Sequence, residues 1–89
     1  MASHVLKIDP VYFDAVVSGR KTFEIRVNDR NFLEGDLVRL REYGPASKDT
    51  RGIALMEYSG REAVYRIGYV TNHRQLAGYV VMSLLPYTE

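Results

Sequence analysis

The chain has 89 residues, which is room for one domain, because a second could not bury a core of its own. Hydrophobic types make up 46% and charged types 26%, a globular composition that excludes a disordered chain, and the lack of cysteine excludes disulfides, thiolate metal sites and cysteine nucleophiles. Twelve basic against 11 acidic residues leave a net charge of +1, which argues against long-range capture of a duplex by a polycationic surface.

Residues 5–8 read as a first strand that ends at Asp9-Pro10, a helix-start signal. Asp9 can cap free amides, and Pro10 suits the first helical position, where its missing N–H costs nothing. Tyr12, Phe13, Val16 and Val17 recur at three-to-four spacing and predict one apolar stripe on a short helix, which Ser18-Gly19 stops. From residue 21 to 27 the period becomes two, with Phe23, Ile25 and Val27 on one face of a second strand and Thr22, Glu24 and Arg26 on the other. Residues 28–31 are turn chemistry, Phe32 and Leu33 are expected to plug the core, and Glu34-Gly35-Asp36 reverses the chain into a third strand over 37–43. On that strand Glu42 is in phase with Val38 and Leu40, so its carboxylate needs a donor or an open end of the fold.

Residues 44–60 lack a clear period and read as a lid, an extra hairpin or an oligomer contact. A strand pattern returns over 62–71, a turn follows at 72–78, and the apolar run 79–85 predicts a final strand in the sheet centre. The fold expected is α+β: a small, partly closed barrel of about five to six strands with one flanking helix, a single domain over residues 1–89. A globule of this length has a radius of gyration of about 12 Å, enough to enclose one base-sized pocket. No long apolar run or export-signal pattern occurs, so the expectation is a cytoplasmic protein without a membrane partner.

The densest chemical cluster runs from Gly19 to Arg26. Thr22, Glu24 and Arg26 project from one strand face at spacings of about 6.6 Å, and Lys21 sits at the helix-to-strand junction, free to swing towards the same mouth. Arg26 is a fork donor, Glu24 an acceptor for amine hydrogens, and Lys21 a polariser or proton carrier, a set suited to a polar planar ligand. The plainer reading is an exposed face with a Glu–Arg pair of little energetic weight. His4 and His73 have no helix-spaced partner, so no metal site is expected; His4 enters the first strand and is a candidate for the mouth. Tyr43, beside Glu42, and Tyr79, after the Gly78 turn, are candidates for stacking a base.

The run SGRKTFEIR, followed by NDR and EGDLVRLREY, resembles the ASCH domain family of the PUA-like superfamily. Its motif of glycine, lysine, glutamate and arginine is matched by Gly19, Lys21, Glu24 and Arg26, and the likeness runs from His4 to about Tyr43. The resemblance implies a PUA-like pseudobarrel whose mouth meets RNA or a nucleobase. One branch of that family removes an acyl group from the exocyclic amine of acetylcytidine with a lysine and a threonine nucleophile. Lys21 matches the lysine, whereas Glu24 stands at the threonine position and Thr22 is out of alignment with it. The reading that follows is a metal- and cofactor-independent amidohydrolase for acylated cytosine or cytidine, with Lys21 and Glu24 catalytic and water activated by Glu24. Arg26, Thr22, Tyr43, Glu42, Arg30, His4 and Tyr79 are the candidate substrate-binding residues. A rival reading is a non-catalytic module that binds single-stranded RNA or a modified base through Arg26, Arg30 and tyrosine stacking. A third is an accessory protein from a mobile element that meets a protein partner through residues 53–56.

Overall fold

The computed structural model describes residues 1–88. It holds five strands and one helix in the order β1 (Ser3–Ile8), α1 (Pro10–Val17), β2 (Phe23–Val27), β3 (Leu37–Lys48), β4 (Ala54–Thr71) and β5 (Tyr79–Pro86). The strands form one mixed sheet ordered β1-β3-β4-β5-β2, in which β1 runs parallel to β3 and the other neighbours are antiparallel. This is a small α+β, barrel-like fold, and β5 lies inside the sheet between β4 and β2, as its apolar run predicts.

Alternation sets which way each strand faces. On β1, His4, Leu6 and Ile8 are buried while Val5 and Lys7 are exposed; on β3, Val38, Leu40 and Glu42 point inward. With Phe13, Val16, Phe32, Ile67, Val80, Met82 and Leu84 they fill the concave side of the sheet. Helix α1 closes one end of that core. Asp9 caps it by accepting from the Val11 N–H at 2.9 Å, and Pro10 occupies the first turn. Gly44 lets Pro10 pack against β3, since a Cβ at residue 44 would lie 2.6 Å from the proline Cγ. The stripe expected on α1 splits: Phe13 and Val16 are buried, whereas Tyr12 and Val17 lie outside, because so short a helix has one seam against the sheet.

One further expectation is corrected, and two open alternatives are decided. Leu33 is exposed, and Phe32 alone plugs the core, because the Asn28 side chain accepts from the Phe32 N–H and the Asp36 side chain accepts from the Leu33 N–H, turning Leu33 outward. Residues 44–60 form the extra hairpin among the three alternatives: β3 and β4 continue past the body of the sheet as a two-stranded arm, with the turn held by the Asp49 side chain accepting from the Arg51 and Ile53 N–H groups. The arm raises the radius of gyration to 14.4 Å, above the value for a compact globule of this length. The other decided alternative, the facing of β2, bears on the site.

Candidate functional site

The two outer strands of the sheet, β1 and β2, have no strand neighbour on their second edges. The sheet curls until these edges face each other, and side chains rather than a backbone ladder span the gap. Arg26 Nη2 donates to the Lys7 carbonyl, and Arg30 Nη1 donates to the Val5 carbonyl at 3.1 Å. The slot between the edges, roofed by α1, is a cleft of about 870 Å³, within the range of small-molecule sites.

The polar row of β2 points into this cleft. Glu24 is only 4% exposed, whereas Phe23, Ile25 and Val27, on the opposite face of the strand but also at the cleft edge, are 39%, 51% and 48% exposed. Alternation is as the sequence predicts, but the buried face is the charged one, the reverse of an exposed face bearing a surface ion pair. The physical reason is local compensation. A buried carboxylate is tolerable when donors hold it, and Glu24 has one for each oxygen: Lys21 Nζ donates to Oε1, and Arg26 Nε donates to Oε2 at 2.9 Å.

The end of the helix delivers Lys21. Ser18 N–H donates to the Asp14 carbonyl at 3.0 Å, Gly19 N–H to the Val16 carbonyl at 3.0 Å, and Lys21 N–H to the Ala15 carbonyl at 2.9 Å. Gly19 sits at φ +81°, a left-handed turn that a side chain would strain, and the chain reverses there so that the lysine swings into the cleft. Its ammonium lies 5.3 Å from the Tyr12 ring centre and 5.1 Å from that of Phe23, so two aromatic faces flank the cation.

Of the candidates named from sequence, Lys21, Glu24, Arg26 and Arg30 come together on the cleft wall. The others lie elsewhere. Thr22 is exposed and contributes its carbonyl to the Leu84 N–H at 2.9 Å. Tyr79 pairs with Val27 and shares its outward face. Tyr43 packs edge-on against Tyr58 at 4.9 Å, with Lys7 Nζ 4.4 Å above its ring, at the root of the arm. Glu42 is buried at the other side of α1, where Arg61 lies 3.5 Å away and also reaches Asp14 at 3.2 Å, so it finds the donor its position demanded.

His4 is a strut of the core. Its Nε2 is 2.9 Å from Asp36 Oδ2, and its ring meets Phe32 edge-on at 4.8 Å. The His4 hydrogen bond, with the Ala2 and Leu33 N–H groups, holds the Asp36 carboxyl below its ordinary range, outweighing the opposing effect of burial. Among the described residues no cluster of three or more histidine, aspartate or glutamate side chains is placed to hold a metal ion.

Sequence reasoning missed Tyr12 and Arg20, which line the cleft, and the carbonyls of Val5 and Lys7, which anchor its arginines. The width of the apolar stripe on α1 was the available signal for Tyr12, since four positions exceed what one seam can bury. Nothing local signals the carbonyls, because their exposure follows from β1 being an edge strand.

A family described as a domain of unknown function, DUF3850, matches residues 3–84, and the chain belongs to that family. It is also similar to the uncharacterized 12.9 kDa protein in the GpA 3′ region of Escherichia phage P2, with 33% identity over 91 aligned positions that cover 96% of this chain and 74% of the phage protein. Among the described residues no helix is long and apolar enough to cross a membrane.

Proposed function

We propose that the cleft binds a cytosine-type nucleobase or nucleoside, read by the Lys21–Glu24–Arg26 row. The observation that carries this is the carboxylate of Glu24, buried and oriented by a cation on each oxygen. A carboxylate offers about four acceptor positions, so two cationic donors leave room for an amine hydrogen. An exocyclic amine satisfies that acceptor; a carbonyl in its place sets two acceptors against each other in a low-dielectric site. Lys21 and Arg26 can donate to the ring nitrogen and carbonyl beside the amine, and Tyr12 and Phe23 offer apolar faces at the same wall. The meeting of Lys21, Glu24 and Arg26 at this slot, with the lysine delivered by the Gly19 turn, supports grouping the domain with the ASCH and PUA-like pseudobarrels.

The contact between Lys21 and Glu24 favours a second reading of the same site, hydrolysis of the amide in an acylated cytosine. Glu24 would take a proton from water as its oxygen attacks the acyl carbon, and Lys21 would donate to the oxyanion. The carbon–nitrogen bond then breaks, the proton passes to the exocyclic nitrogen, and a carboxylic acid leaves with the free base. Binding is the better supported of the two, because both Glu24 oxygens already serve cations.

Calorimetric titration with cytidine, uridine and acetylcytidine tests the first reading, and chromatography of the acetylcytidine mixture tests the second. Cytidine should bind at least about tenfold more tightly than uridine, the discrimination expected where a buried polar group is left unpaired by the wrong base. Equal affinity for the two, or no affinity for either, would remove Glu24 as a base-reading group.

A further inference from the structure

We infer that the ligand of this cleft is a nucleoside 5′-monophosphate, with Arg30 as the phosphate seat; the inference rests on the base-binding reading above. The cleft has more room than a base occupies, and its charge is uneven. Arg20, Lys21, Arg26 and Arg30 line it against three acids, Asp9, Glu24 and Asp29, while Lys7 lends its carbonyl and keeps its ammonium over the Tyr43 ring. Asp9 is committed to the helix cap, and Glu24 already holds Lys21 and Arg26.

The placement of Arg30 gives the spare charge a location. Arg26 and Arg30 are anchored on the carbonyls of Lys7 and Val5, two residues apart on β1. Two residues of strand separate the anchor points by about 7 Å, so the guanidinium groups stand in a line along the slot. Arg26 touches Glu24, which marks the end that reads the base, and Arg30 lies one such step further on, the reach of a ribose. Arg30 donates one N–H to Val5, and its side chain is 48% exposed, which leaves donors of its planar fork for a phosphate. Asp29 approaches Arg30 Nε only to 3.9 Å and is 68% exposed, a loose contact that opposes an anion without blocking it. Arg20 is engaged at the helix end, where its Nε donates to Ser18 Oγ at 3.1 Å.

Titrate the 89-residue chain at low salt with cytidine, cytidine 5′-monophosphate and pentacytidylate, in the native form and in Arg30→Gln, Arg30→Lys and Asp29→Asn, with thermal melts to confirm that each variant folds. The monophosphate should bind about tenfold more tightly than cytidine, with the preference shrinking as salt is added. The ratio should fall to about one in Arg30→Gln, survive in part in Arg30→Lys and rise in Asp29→Asn. Cytidine binding without a phosphate preference, or a preference that persists in Arg30→Gln, would overturn the phosphate seat and leave the base reading intact. Pentacytidylate binding more tightly than the monophosphate would make the ligand a strand and overturn the mononucleotide. Binding of neither cytidine nor its monophosphate would defeat the base reading and this inference with it.

Discussion

Replacing Glu24 by alanine, alongside Ile25 by alanine, measures which face of β2 the protein relies on. In Glu24→Ala two cations, Lys21 and Arg26, remain with side chains 17% and 23% exposed and no carboxylate between them. Breaking a fully buried ion pair costs about 3–5 kcal/mol, and partial solvation of these cations lowers the expected loss to about 2–3 kcal/mol. Ile25 is 51% exposed, so its truncation removes roughly half the burial of an isoleucine and should cost about 1 kcal/mol. With a urea m-value of about 1–2 kcal/mol/M for a domain of this size, Glu24→Ala should lower the unfolding midpoint by about 1–3 M and Ile25→Ala by about 0.5–1 M. Equilibrium unfolding followed by far-ultraviolet circular dichroism reads both. The ordinary expectation for a half-apolar strand is the opposite ranking. Were Ile25→Ala the more damaging change, the strand would face the other way, and Glu24 would belong to the surface rather than to the cleft.

Two predictions concern parts outside the cleft. The native state holds the Asp36 carboxyl below its ordinary value, so in acid the unfolded chain binds the proton first; its stabilising contribution is complete above about pH 4 and is lost as pH falls through the lowered native value. Asp36→Asn should flatten the decline of the urea midpoint below pH 4, and an unchanged slope would show that other carboxylates carry acid unfolding. The arm beyond Tyr43 and Tyr58 lines no part of the cleft, so replacing residues 46–55 by a two-residue Asn-Gly turn between the paired Pro45 and Met56 should leave ligand affinity within about twofold in calorimetry; a loss of tenfold or more would place the arm in the binding reaction.

What could be read from the sequence is what interactions over a few residues decide. The Asp9 cap, Pro10 in the first turn, the stop at Gly19 and the period of two in β2 all came from neighbours along the chain, and the structure shows each of them. Glu42 was legible as a buried carboxylate for the same reason, since its phase with Val38 and Leu40 is a property of one strand. Lys21, Glu24 and Arg26 were legible as a group because they sit within six residues of each other.

Tertiary structure alone decided which face of β2 is inside. Alternation fixes that neighbouring residues face opposite ways, but either face can be buried, and the outcome here follows from β2 being an edge strand that curls to meet β1. That meeting depends on a sheet order, β1-β3-β4-β5-β2, in which the first and second strands of the chain are the furthest apart. The same nonlocal closure put Arg30 beside Val5, 25 residues away, and left Thr22, Tyr43 and Tyr79 on other surfaces. Residues 44–60 show the converse limit: their polar, aperiodic composition is that of a ribbon with solvent on both faces, where no buried side imposes a pattern.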